Sequence, residues 1–109
     1  VRKNPTVSTA DVAASFQYAV VDVLAAKARK AAQQIGAKTV ALGGGVAANS
    51  LLRSTMTTVC AESGWRLVLP SMGMCTDNAA MIASAGWYRL VADGPSSMDM
   101  GAMPNLKLT

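Results

Sequence analysis

The chain has 109 residues, 51% hydrophobic and only 15% charged, with five aromatics (two Trp, two Tyr, one Phe), no histidine and a net charge of +4. Lack of histidine rules out a His-based triad, a His general base and a His-only metal site within these residues, and the thin spread of Lys and Arg points only faintly to nucleic acid. No apolar run reaches the length of a bilayer span, no secretory h-region is present, and Cys60 and Cys75 form neither a metal spacing nor a disulfide framework, so a reduced, cytoplasmic protein with no membrane association is expected.

The opening Val1-Arg2-Lys3-Asn4-Pro5 lacks an initiating Met and reads as a loop of a segment cut from something longer, with Asn4-Pro5 as a turn signal. Ser8 supplies a hydroxyl N-cap with Asp11 three positions on, much like a capping box. Val12, Phe16, Ala19, Val20 and Val23 then recur at helical spacing, which predicts a helix over 9–34 with that stripe facing a core. Lys27, Arg29 and Lys30 fall in its closing turns, where cations suit the dipole, and Gly36 can cap the end. That cluster reads as a solvated helix end rather than an RNA footprint.

Thr39-Val-Ala-Leu42 is short, apolar and β-branched, as expected of a strand buried on both faces in a parallel sheet. A second helix is expected from about Ala47 to Ser63, with Leu52, Met56, Val59 and Cys60 on one face and Gly64 as its stop. Cys60 on that face reads as a small core hydrophobe. Trp65–Leu69 is a second strand ended by Pro70, and 71–76 is a loop. A third helix, capped by Thr76 or Asp77, is expected to reach about Ala92. Its small residues (Ala79, Ala80, Ala83, Ala85, Gly86) would let it sit close to a sheet. From Asp93 onward no periodicity remains. The order is α-β-α-β-α, an α/β fragment whose two strands cannot bury both faces alone. Residues 1–92 form the expected lobe and 93–109 an irregular tail.

Between the first strand and the second helix lie Gly43, Gly44 and Gly45. Glycines lack Cβ, can take φ > 0 and allow a close backbone approach. A helix starting just after them would add unpaired N–H groups, so an anion site is one reading and a structural turn the other. A single Gly-rich turn without its Lys is a weak motif.

The wider wording is more specific. Gly44-Gly45-Val-Ala-Ala-Asn49-Ser-Leu-Leu-Arg53, followed by Met74-Cys-Thr-Asp77-Asn-Ala-Ala-Met-Ile-Ala83, resembles the C-terminal part of the TsaD family (older name Gcp), in both blocks and in their spacing. The resemblance covers essentially the whole chain, while a full family member is about three times longer. It implies an actin/Hsp70/sugar-kinase type of fold (ASKHA). It also implies transfer of a threonylcarbamoyl group from threonylcarbamoyl-AMP to the N6 amine of an adenosine next to the anticodon of tRNA. The partners implied are tRNA, a paralogous subunit and an ATPase subunit.

The same resemblance assigns roles. Asp77 would ligate one divalent metal, Fe or Zn, with two histidines of an upstream His-x-x-x-His motif. Asn49 would contact the adenylate, and Gly44 and Gly45 would hold its phosphate from the backbone. On residue chemistry alone, Asp77 reads as an N-cap accepting from the N–H of Ala79 or Ala80, and Asn49 as a helix-start residue. An Asn amide can also read a ribose or acyl group where a charge would be wrong. Asn78 is expected to be structural. Cys75 is not expected to be a nucleophile, because no His or Lys stands near it to activate the thiol. No catalytic side chain beyond the metal ligand is expected. Other readings are a phosphotransferase or ATPase segment of the same fold, a metal-dependent glycoprotease, and a non-catalytic interaction module using the apolar surface of 93–109. The protease is disfavoured because no water-activating Glu accompanies Asp77.

Overall fold

The computed structural model describes residues 7–105, in two compact units that divide after Thr76. The expected turn at Asn4-Pro5 and the end of the tail, 106–109, lie outside the described residues.

In the first unit, α1 spans Thr9–Gln34, β1 Thr39–Ala41, α2 Ser50–Glu62 and β2 Arg66–Val68. Ser8 caps α1 by accepting from the N–H of Ala10. Both helices end in the same way. After α1 the N–H of Gly36 reaches Gln33 O and that of Ala37 reaches Ala32 O; after α2 the N–H of Gly64 reaches Ala61 O and that of Trp65 reaches Cys60 O. This pairing satisfies the last carbonyls and needs a left-handed residue, which Gly36 (φ +64°) and Gly64 (φ +67°) supply. The basic cluster lies one turn earlier than the closing turn, which holds no cation.

β1 and β2 pair in parallel, with Val40 opposite Leu67, and α2 is the crossover between them. The ladder extends one bond past each end, through Arg66 N–H to Lys38 O and Leu42 N–H to Val68 O. Val21 and Ala25 of α1 and Leu52, Met56 and Cys60 of α2 form the core, with Val40, Leu42 and Leu67 packed against it. Burying side chains such as Leu52 and Met56 is worth about 1.5–3 kcal/mol each. Burial also pushes the Cys60 thiol up from its ordinary pKa, consistent with a core hydrophobe.

Two expectations are corrected here. The strands are covered on one face only: Thr39, Ala41, Arg66 and Val68 are exposed, because both helices pack on the face that carries Val40 and Leu67. On α1 the buried residues are Val21, Ala25 and Ala32, whereas the apolar stripe of Val12, Phe16, Val20 and Val23 is exposed, Phe16 by 71%. Val21 and Ala25 take that face because they are the α1 residues that pack against Leu52, Met56 and Cys60 of α2.

The second unit contains α3, Ala79–Asp93, capped at its C-terminus by Gly94 (φ +78°). None of its residues is buried, so the small residues expected against a sheet are exposed, as are Ile82, Trp87, Tyr88 and Val91. Residues 95–105 contain turns but no helix or strand. Among the described residues no helix is long and apolar enough to cross a membrane.

Candidate functional site

Parallel pairing sends the chain out of both strands at the same end of the sheet. The glycine turn follows β1 there and the 70–76 loop follows β2. In open parallel sheets this carboxyl end is where ligands gather.

Only Gly44 of the three turn glycines has positive φ; its φ of +75° and ψ of 179° lie in a region essentially reserved for glycine. Of the three glycines that could take φ > 0, Gly43 and Gly45 do not. A Cβ on any of them would meet nothing within 4 Å, so the turn faces open space. Gly44 is demanded by the backbone; at Gly43 and Gly45 neither conformation nor packing among the described residues demands glycine.

The segment after the turn is not yet α-helix. Gly45–Ala48 forms a 3₁₀ turn, with Ala47 N–H bonded to Gly44 O and Asn49 N–H to Val46 O. The expected start of α2 near Ala47 therefore moves to Ser50, because Asn49 takes the extended conformation of an N-cap (φ −68°, ψ 120°). Its Oδ1 accepts from Leu52 N–H at 2.9 Å. The cap uses the side-chain oxygen and leaves the amide nitrogen as the group with which Asn49 can meet a ligand. Beside the turn, a cavity of about 330 Å³ has apolar walls that include Leu24, Leu42, Val46, Leu52 and Met56. A larger cavity of about 420 Å³, lined by Arg29, Lys38, Glu62 and Trp65, sits at the opposite, amino end of the strands.

Arg53 is the residue that sequence reasoning missed. Its Nε donates to Ala47 O at 2.6 Å, and its Nη2 donates to Pro70 O at 2.6 Å and to Cys75 Sγ at 3.3 Å. Cys75 in turn donates to Ser71 O at 3.4 Å and is 2% exposed. A cation does stand beside this thiol, then, though it is neither His nor Lys and is 22 residues away in sequence. The available signal was a lone Arg in the first turn of α2, where the helix dipole disfavours a cation unless something else holds it.

Asp77 belongs to the second unit and is exposed. It does not cap α3. Asn78 does, in an extended conformation (φ −150°, ψ 156°) with Oδ1 accepting from Met81 N–H at 3.0 Å. The expectation of Thr76 or Asp77 as cap is corrected by one or two residues, since a capping side chain reaches the N–H three positions on and here that spacing starts from Asn78. The Asp77 carboxylate is thereby not used by the helix start. Among the described residues no group of three or more His, Cys, Asp or Glu could hold a metal ion.

Comparison with known proteins decides the family. Residues 2–84 match the family model of TsaD, tRNA N6-adenosine threonylcarbamoyltransferase. The chain belongs to the TsaD family. Relatives bearing the same name include proteins of Clostridium botulinum (strain 657 / Type Ba4) and Clostridioides difficile (strain 630), each 45% identical over 106 residues. A Dehalococcoides mccartyi (strain CBDB1) relative is 46% identical over 102 residues. These alignments take in 97%, 97% and 94% of this chain but only 31%, 31% and 30% of the relatives, so the chain spans about a third of their length. Both TsaD-like blocks fall in the matched stretch: the glycine turn with Asn49 and Arg53, and the segment around Asp77.

Proposed function

We propose that this chain is the nucleotide- and metal-binding C-terminal segment of a cytosolic tRNA-modifying transferase with an ASKHA-type lobe. The whole protein would transfer a threonylcarbamoyl group from threonylcarbamoyl-AMP to the N6 amine of an adenosine beside the tRNA anticodon. The observation that carries the reading is the match of residues 2–84 to the family, with the glycine-only turn at Gly44 open to solvent one short 3₁₀ turn before Asn49.

On this reading the backbone at Gly44 and Gly45 receives the adenylate phosphate, where any side chain would occupy the approach. The Asn49 amide nitrogen donates to the ribose or acyl part, while its oxygen stays on Leu52 N–H and keeps the side chain aimed. Asp77 supplies one anionic oxygen ligand to a divalent cation, and two imidazoles from elsewhere in the whole protein complete the set. A carboxylate with two imidazoles suits Fe or Zn. When bound, such a metal polarises the carbamoyl carbonyl as a Lewis acid. The side chains of this segment bind and orient; none of them is assigned a proton transfer. A paralogous subunit and an ATPase subunit complete the working assembly.

The test is incubation of the whole protein and its partners with unmodified tRNA, labelled threonine, bicarbonate and ATP. Threonine is expected to enter tRNA as threonylcarbamoyladenosine. Phosphoryl transfer to another acceptor without tRNA labelling would overturn the reading in favour of a kinase-like activity.

A further inference from the structure

The structure assigns Arg53 a role as a positioning residue: its guanidinium joins the glycine-turn segment to the 70–76 loop, so that the two segments leaving the sheet at its carboxyl end hold one fixed arrangement. The inference deepens the nucleotide-binding reading above and rests on it for its functional consequence.

The backbone ladder does not itself join the two segments. The ladder between β1 and β2 ends at the bond from Leu42 N–H to Val68 O, before the glycines on one side and before Pro70 on the other. Pro70 has no N–H with which to continue it. Beyond that point Arg53 makes one contact to the turn segment, at Ala47 O, and two to the loop, at Pro70 O and Cys75 Sγ. Ala47 and Cys75, the outermost residues it touches, are both buried. A planar guanidinium can serve three acceptors in different directions at once, whereas a lysine ammonium on its flexible stem presents a point charge.

The acceptors are also unusual. They are two carbonyls and a thiol, and among the described residues Arg53 forms no ion pair. An arginine held for charge balance would pair with a carboxylate. One held by carbonyls of two separate loops fixes the distance between those loops. Asn49 stands between Ala47 and Arg53 in sequence, so the same clamp fixes the residue that reads the ligand. On the other side, the clamped loop ends directly before Asp77 in the chain.

The test replaces Arg53 by Met, which keeps the length of the stem and removes every donor, and by Lys, which keeps the charge. Both are made in the whole protein. Thiol alkylation is followed residue by residue by mass spectrometry under native conditions, and affinity for a non-hydrolysable threonylcarbamoyl-AMP analogue is followed by calorimetry. In R53M, Cys75 is expected to label at least about tenfold faster while Cys60 stays protected, because the loop opens locally and the core does not. Analogue affinity is expected to fall about tenfold, with Arg53→Lys between the two. Should R53M fail to fold, the Lys variant alone carries the comparison. Unchanged labelling of Cys75 overturns the inference, and so does parallel exposure of Cys60 and Cys75, which would make Arg53 a general stabiliser. If the parent protein does not bind the analogue at all, the nucleotide reading fails, while faster labelling of Cys75 would still support the clamp.

Discussion

Residues 7–76 and residues 77–105 answer the same physical problem differently. The first region buries Met56 to 1% exposure and seats α1, α2 and one sheet face on a shared core. The second holds α3, which is richer in apolar residues, yet Trp87 is 63% exposed and nothing in α3 is buried. Both α2 and α3 nevertheless begin alike, with an Asn whose side-chain oxygen accepts from the N–H three residues on. Local capping is thus enough to set where a helix starts, while burial depends on what else is available to pack against it.

That contrast can be sharpened most strongly at Asp77, an exposed residue of the second region that is proposed above as a metal ligand. Asp77→Asn in the whole protein is expected to abolish activity and strip most of the metal, because an amide lacks the anionic oxygen. Once both forms are metal-free their melting temperatures should coincide, since Asn78 and not residue 77 caps α3. Metal analysis of the purified variant decides the matter; near-normal occupancy would remove Asp77 from the ligand set.

In the first region the largest stability effect belongs to Met56→Ala, expected to cost about 2–5 kcal/mol in urea unfolding for a fully buried side chain. Gly44→Val should weaken adenylate binding by about 2 kcal/mol, because a β-branched residue is strained at that backbone conformation. With no neighbour within 4 Å to clash, the loss should appear in calorimetry while circular dichroism remains unchanged. Unaltered affinity would reduce the glycine turn to a structural link.

The two caps offer a matched pair. Asn49→Ala and Asn78→Ala should each cost about 1 kcal/mol of helix stability. Asn49→Ala is also expected to reduce adenylate affinity in calorimetry, and an unchanged affinity would leave Asn49 as a cap only. The smallest effect is expected for Ile82→Ala within these 109 residues, about 0.5 kcal/mol or less because the side chain is exposed. A cost matching that of Met56→Ala would break the contrast between the two regions.

Much of this was legible in the sequence. The three helices, both strands, the glycine stops after α1 and α2, and the α2 face of Leu52, Met56 and Cys60 follow from periodicity and capping chemistry, which act over three or four residues. The family was legible too, because its two blocks are contiguous strings. Tertiary structure decided which of two competing α1 faces is buried, and it chose Val21, Ala25 and Ala32 over the bulkier stripe carrying Phe16. It left one sheet face uncovered among the described residues. It also brought Arg53 to Cys75 across 22 residues. Periodicity reports that a face is apolar but not what will cover it, and a hydrogen bond between distant residues has no local signature. Those outcomes depend on how separate elements meet in space, which single-residue preferences do not encode.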